Sequence, residues 1–211
     1  MTANINPQRR SASGSHGRMD KERAEADYYR SPPHAMALLL DTIAPARLVG
    51  DGGLIIDAGA GDGRLTRPLV DAGYRVRGIE LYDRNHDPAL PIDIGIDFMS
   101  LAPDHAGGPA AIVTNPPYSL NVVDRFLRHA MSLLPHGGEL HALMRHNWMT
   151  GIRRCDLLPS LSRIVMCRRL KMLPFDREHD DKGFQAMADF SWFTFEKGRT
   201  EGACELLHAR Q

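Results

Sequence analysis

The residues of this 211-residue chain that most plainly ask for a chemical role are Asn115-Pro116-Pro117-Tyr118, which close the apolar run Ala111-Ile112-Val113-Thr114. Consecutive prolines remove backbone donors and stiffen the chain, a poor way to finish a buried strand unless the backbone has to be aimed. A stiff turn headed by a side-chain amide suits an exocyclic amine conjugated to a ring. Such a nitrogen is a weak nucleophile because its lone pair is delocalised. If the Asn115 side-chain oxygen and the Pro116 carbonyl each accept one N–H, the nitrogen is drawn toward tetrahedral geometry and its lone pair is directed at an electrophilic carbon. The nitrogen becomes cationic as it attacks, so fixed acceptors stabilise charge as it develops, and no strong base is needed beforehand. Tyr118 offers a flat face for a base to stack on, and a base inside a duplex must be flipped out to reach such a pocket.

A second group lies upstream. Asp57-Ala58-Gly59-Ala60-Gly61-Asp62-Gly63 directly follows the apolar run Leu54-Ile55-Ile56 and directly precedes a helical stretch. Glycines at that junction let the backbone approach a ligand without a clash from Cβ, and in a parallel sheet ligands lie beyond the carboxyl ends of the strands. The next apolar run ends Gly78-Ile79-Glu80-Leu81, placing an acid about 20 residues downstream, where it can accept hydrogen bonds from ribose hydroxyls. The spacing also suits a nicotinamide dinucleotide. A carboxylate heading the loop, Asp57, fits a cationic sulfonium ligand with an ammonium group better than a diphosphate.

These groups need a scaffold that brings strand ends together, and the sequence predicts one. Short apolar runs alternate with amphipathic stretches, the pattern of a parallel sheet covered by crossover helices. Strands are expected at 54–58, 75–81, 92–98, 111–114, 139–144 and 163–167, with a last aromatic, alternating run at 188–196. Helices are expected from His34 to Asp41, at 64–72, at 122–134 and over roughly 150–158, the last closed by Pro159. Residues 1–20 are rich in Ser, Gly, Asn, Gln and Arg and read as a disordered tail; residues 21–198 read as one α/β domain, and 199–211 as a C-terminal tail. With 26 basic and 26 acidic residues, whole-molecule attraction does not hold a polyanion, so any grip on nucleic acid is local. Three cysteines without metal-ligand spacing point to reduced thiols in a cytoplasm and to no metal site, and no apolar run is long enough for a bilayer.

The glycine loop resembles motif I of class I S-adenosylmethionine-dependent methyltransferases, and Asn115-Pro116-Pro117-Tyr118 resembles motif IV of the amino-methyltransferases, here in its adenine-N6 DNA methyltransferase (NPPY) form. The resemblance covers 21–198. It implies a Rossmann-like fold with a mostly parallel seven-stranded sheet, an antiparallel last strand and helices on both faces. It implies S-adenosyl-L-methionine as cofactor, held by Asp57, Gly59, Gly61, Gly63, Glu80 and Leu81, with Asp97-Phe98 at the adenine. Tyr28 to Pro33 resembles the N-terminal segment that closes over the cofactor's methionine part, so Tyr28, Ser31 and Pro32 join the set, together with Asn115; Tyr28 and Tyr29 read equally as a hydrophobic staple on the following helix. The activity implied is methylation of the adenine N6 amine in DNA.

For the target, Arg145, Arg153, Arg154, Arg163, Arg168, Arg169 and Lys171 face a single acid, Asp156, and read either as a phosphate track or as a solvated helix face. Arg145, Asn147, Trp148, Arg153, Arg154 and Trp192 join Tyr118 as expected substrate contacts. The segment 174–183 reads as a mobile loop. Sequence-specific DNA methyltransferases usually carry a sizeable recognition domain, and no insertion of that size is present; recognition is then short, or a partner protein supplies it, or the substrate is not duplex DNA. RNA adenine, a protein glutamine amide, and a non-catalytic subunit that binds nucleic acid or a partner enzyme stay open as alternatives.

Overall fold

A computed structural model describes residues 28–32, 34–42, 52–151, 154–167, 170, 173–174 and 189–209. Its elements are β1 (Tyr29–Arg30), α1 (Ala35–Thr42), β2 (Leu54–Ala58), α2 (Thr66–Asp71), β3 (Arg75–Glu80), β4 (Ile92–Ile94), α3 (Pro103–Ala106), β5 (Ala111–Thr114), α4 (Leu120–Leu133), β6 (Glu139–Arg145), β7 (Leu161–Met166), β8 (Leu173–Pro174), β9 (Phe190–Glu196) and β10 (Glu205–His208). Every residue of β2 and of β5 is buried, which is why these strands read as continuous apolar runs and not as alternating ones.

The main sheet has eight strands in the order β10-β7-β9-β6-β5-β2-β3-β4, and β1 and β8 form a separate pair. β9 runs antiparallel to both neighbours, and the remaining pairings of the main sheet are parallel. Successive strand residues point to opposite faces. Ile55 packs in one apolar cluster with Met36 and Leu39 of α1 and Leu69 of α2, while Ile56 and Ala58 pack in another with Val123, Phe126 and Leu127 of α4. In α4 the buried residues Val123, Phe126, Leu127, Ala130 and Met131 recur at helical spacing, so one stripe meets the sheet.

Several expected elements differ from the observed ones. The sheet has eight strands, not seven: Glu205–His208, within the expected C-terminal tail, pairs in parallel with β7. An edge strand of this kind is mostly exposed and lacks an apolar signature. Arg163 Nε, 3.0 Å from Glu205 Oε2, ties it to the sheet. The third strand stops at Ile94 because Gly95 takes a positive φ of 81°. The helix expected over 150–158 is replaced, in its described residues, by short 3-10 turns at His146–Thr150 and Leu158–Ser160, the second holding Pro159. The stretches 1–27 and 175–188, which include the expected tail and most of the expected mobile loop, lie outside the described residues, as do Pro33, Arg153, Arg168, Arg169 and Lys171.

Candidate active site

Two central strands end side by side. In the register of β2 and β5, Ala58 stands opposite Thr114, and the Thr114 hydroxyl donates to the Ala58 carbonyl at 2.7 Å. The glycine loop therefore starts one residue beyond Ala58 and the Asn-Pro-Pro-Tyr turn one residue beyond its partner. The chain leaves β2 toward β3 on one side of the sheet and β5 lies on the other, which makes this the switch point where ligand crevices open in parallel sheets.

The glycine loop is held by its neighbours. Gly59 and Ala60 donate their amides to the Ile79 carbonyl at 2.9 and 3.0 Å, and Gly61 donates to Glu80 Oε2 at 2.8 Å. Gly61 has a φ of 60°, and a Cβ there would stand 2.5 Å from the Tyr28 ring, so both backbone and packing demand glycine. Glu80 Oε1 accepts from the Tyr82 amide at 3.1 Å, which fixes the carboxylate while leaving it further acceptor capacity.

Asp57 lies fully buried behind the loop. Its Oδ2 accepts from Thr66 Oγ1 at 2.6 Å, and its Oδ1 has no hydrogen-bond partner among the described residues. Burial pushes this carboxyl up to about 7; the Thr66 hydrogen bond opposes the rise and the charge of Glu80 adds to it. Desolvation sets the direction.

A strap made of residues 28–32 crosses the glycine loop and the Asn-Pro-Pro-Tyr turn. The Tyr28 hydroxyl accepts from the Asp62 amide at 3.0 Å, and burial, reinforced by the Asp62 charge, raises that hydroxyl's pKa and keeps it neutral. Arg30 Nε lies 3.5 Å from Asp62 Oδ2, which also accepts from Arg64 Nε at 3.0 Å. The Arg84 guanidinium stacks 4.7 Å from the Tyr28 ring centroid and 5.1 Å from that of Tyr82. On its far side the strap pairs with β8, Tyr29 opposite Pro174.

Asn115 hangs between strap and sheet. Its Nδ2 donates to the Tyr29 carbonyl at 2.9 Å and to Ser31 Oγ at 3.0 Å, and its Oδ1 accepts from the Tyr118 hydroxyl, which also reaches the Leu143 carbonyl at 3.1 Å. The Tyr118 ring is half-buried, with Tyr29 and Phe190 centroids 5.5 and 5.6 Å away.

A cavity of about 260 Å³ opens over these groups. Of the residues expected from sequence it brings together Tyr28, Ser31, Gly59, Glu80, Leu81, Asp97, Phe98, Asn115, Pro116, Pro117 and Tyr118 on its wall. Asp97 reaches it by capping the 3-10 turn Phe98–Ser100, its Oδ1 accepting from the Met99 amide at 2.9 Å. Asp57, Gly61, Gly63 and Pro32 support the wall from behind: Gly63 packs on Leu90 and Ile92, and the Pro32 carbonyl starts α1 by accepting from Ala35 N. Tyr29 and Asp62, which lie within the anticipated segments, and Arg64, Tyr82 and Arg84, which were not anticipated, also line the cavity; the last three stand within three residues of Gly63 or Leu81, which is the signal the sequence offers.

The expected substrate contacts mostly go elsewhere. Trp192 is fully buried and donates Nε1 to the Ala35 carbonyl at 2.9 Å, so it is core. Trp148 is also buried, with Nε1 donating to Asp124 Oδ1 at 3.0 Å. Arg154 pairs with the same oxygen at 2.9 Å, donates to the Trp148 carbonyl, and is 9% exposed, too little for a phosphate contact. Arg163 is buried against Glu205. Arg145, the last residue of β6, and Asn147, two residues further on, are exposed at the same end of the sheet as Asn115.

No family profile and no curated protein matches the sequence. Solved structures do match. The type IIG restriction endonuclease BpuSI superposes with a TM-score of 0.61 at 17% identity over 92% of this chain, which spans 28% of that protein's length. A protein described as a hemolysin from Lactococcus lactis gives 0.57 at 14% identity, covering 84% of this chain and 94% of that one. A TehB-like S-adenosylmethionine-dependent methyltransferase from Corynebacterium glutamicum gives 0.50 at 17% identity, covering 86% and 96%. The mixed, mostly parallel α/β sheet is thus a fold shared with an S-adenosylmethionine-dependent methyltransferase. Among the described residues no helix is long and apolar enough to cross a membrane.

Proposed function

We propose that this chain is an S-adenosylmethionine-dependent N-methyltransferase of the NPPY kind that modifies the N6 amine of adenine in DNA. One observation carries the reading. The Asn115 amide is oriented by two acceptors on its nitrogen, leaving its oxygen as the acceptor on the wall of a cavity shared with the glycine loop and Glu80. The residues suit the cofactor on their own chemistry: Glu80 offers a fixed carboxylate for ribose hydroxyls, Phe98 and Ile79 an apolar wall, and Asp57 an unpartnered buried oxygen behind the loop that a nearby cation favours in ionised form.

When bound, the cofactor supplies a methyl group on a sulfonium sulfur. The chain's own part is to aim the nucleophile. Asn115 Oδ1 and the Pro116 carbonyl accept the two N–H groups of the amine and stabilise the positive charge that grows on its nitrogen. The rigid diproline keeps those acceptors from relaxing away, so orientation is set before the bond forms. For the target class, one structure sharing the fold is a restriction endonuclease, and Arg145 and Asn147 stand exposed at the same sheet edge. A partner protein completes target recognition, and the free thiols Cys155, Cys167 and Cys204 fit a cytoplasmic setting.

The test is to incubate the full chain with labelled cofactor and separate pools of DNA, RNA and protein extract, then digest and identify the labelled product. N6-methyladenine from DNA is expected. Label on RNA adenine would move the substrate, and label on cytosine or on protein alone would defeat the adenine reading.

A further inference from the structure

A carboxamide has two ends of similar shape and opposite chemistry, and only the oxygen accepts a hydrogen bond. Its terminal torsion is broad and roughly two-fold, so an unrestrained Asn115 would offer N–H to an incoming amine in a large share of its orientations. The tetrapeptide itself supplies one restraint, the Tyr118 hydroxyl on Oδ1. A hydroxyl both donates and accepts, so that contact alone does not settle which end lies where.

The decision comes from the strap. Each Nδ2 hydrogen has its own acceptor there, the Tyr29 carbonyl and Ser31 Oγ. The first is a main-chain carbonyl, which only accepts, so it places the nitrogen end on the strap side whatever side chain stands at that position. The second is a side chain 84 residues away in sequence, with Ser31 only 6% exposed. The strap is itself anchored, by the Tyr28 hydroxyl on the Asp62 amide and by pairing with β8, so Ser31 is not free to drift.

Resting on the reading of Asn115 as the acceptor for the amine, we infer that Ser31 is a positioning residue for the reaction: its hydroxyl oxygen takes the second Nδ2 hydrogen and holds the carboxamide in the orientation that the Tyr29 carbonyl selects, with oxygen presented to the target nitrogen. The resemblance to adenine-N6 enzymes implied a contact with the methionine part of the cofactor for the same residue. The two roles have separate signatures. A cofactor contact changes cofactor affinity, whereas a positioning role changes turnover at saturation and the environment of the Asn115 amide.

The experiment compares wild type with Ser31→Ala, Ser31→Cys and Ser31→Thr in the full chain. Side-chain amide signals of Asn115, assigned by their loss in Asn115→Ala, report hydrogen exchange without any substrate. Ser31→Ala should speed exchange of one amide hydrogen about tenfold, lower kcat about tenfold at saturating cofactor and DNA, and leave the cofactor Kd within about twofold; each tenfold corresponds to the loss of one ordinary hydrogen bond. Ser31→Cys keeps the shape with a poor acceptor and should behave alike, guarding against a folding defect in the alanine variant; Ser31→Thr should restore both readouts. Unchanged amide exchange in Ser31→Ala and Ser31→Cys would overturn the inference, as would weakened cofactor binding with undiminished kcat. If wild type methylates no pool, the proposed function fails, while the exchange measurement still decides whether Ser31 holds the Asn115 amide.

Discussion

Replacing Asp57 by Asn should remove a pH dependence of folding stability that one buried carboxyl imposes. Asp57 has no solvent exposure, and its pKa is raised from 3.8 to about 7, chiefly by that burial. In the unfolded chain the group ionises near its ordinary value of about 3.9. Between roughly pH 4 and pH 7 the folded protein therefore keeps a proton that the unfolded chain has released, and stability falls as pH rises through that window. A displacement of about 3 on the pH scale at about 1.4 kcal/mol each gives about 4 kcal/mol in all, of which about two thirds develops between pH 5 and pH 8. For a chain of this size that is a change of about 5–10 °C in Tm. His141 acts in the opposite sense: buried and lowered to about 3 by desolvation and then by Arg163, it costs stability as pH falls from 6.5 toward 3. Subtracting the variant from the wild type cancels that contribution. The assay is thermal melting by circular dichroism of both proteins at pH 5 and pH 8. Asp57→Asn should gain on wild type by about 5–10 °C between the two conditions. Parallel curves, with a gap constant to within about 2 °C, would mean that the carboxyl titrates normally and that the buried-loop argument is wrong.

Asn115→Ala should keep cofactor affinity within about twofold by calorimetry while methyl transfer falls at least about 100-fold, because the removed acceptor acts on charge that develops during attack; a fully active variant refutes its role. Glu80→Gln puts a donor against the Gly61 or Tyr82 amide and should weaken cofactor binding about 10- to 100-fold; unchanged affinity would remove Glu80 from the nucleoside site. Asp124→Ala strands Arg154 and the Trp148 indole N–H in a buried setting and should cost about 3–5 kcal/mol in denaturant unfolding; a loss under about 1 kcal/mol would show that Arg154 finds solvent, and would return it to the list of candidate phosphate contacts.

What the sequence made legible was whatever is decided locally. Leu54–Ala58 and Ala111–Thr114 are strands with the expected bounds, because both are buried on two faces and read as unbroken apolar runs. The antiparallel strand Phe190–Glu196 announced itself by its aromatic residues. The edge strand Glu205–His208 did not, since three of its four residues are exposed and its place is set by Arg163, 42 residues earlier in the chain. Trp148 was expected at the substrate from its place just after the fifth strand, Arg154 from its basic run, and Trp192 from its aromatic type, which reads equally as core. Type does not disclose a partner: Asp124 takes up two of them from 24 and 30 residues away, and the Ala35 carbonyl takes the third from 157.

The site divides along the same line. The glycine loop, Glu80 and the Asn-Pro-Pro-Tyr turn are short segments whose chemistry is written in adjacent residues, but nothing in them states that they share a cavity. That follows from one non-local fact, the placement of Ala58 opposite Thr114. Because side chains alternate along a strand, a slip of one residue in that register would turn Thr114 away from the Ala58 carbonyl and reverse the face to which Asn115 is presented. The buried Thr114 hydroxyl, donating to Ala58 O at 2.7 Å, is satisfied in the observed register and loses that partner in the slipped one. A buried polar atom next to the Asn-Pro-Pro-Tyr turn thus penalises the misregistered sheet, and the same bond that closes the β2–β5 seam sets the distance between the glycine loop and Asn115.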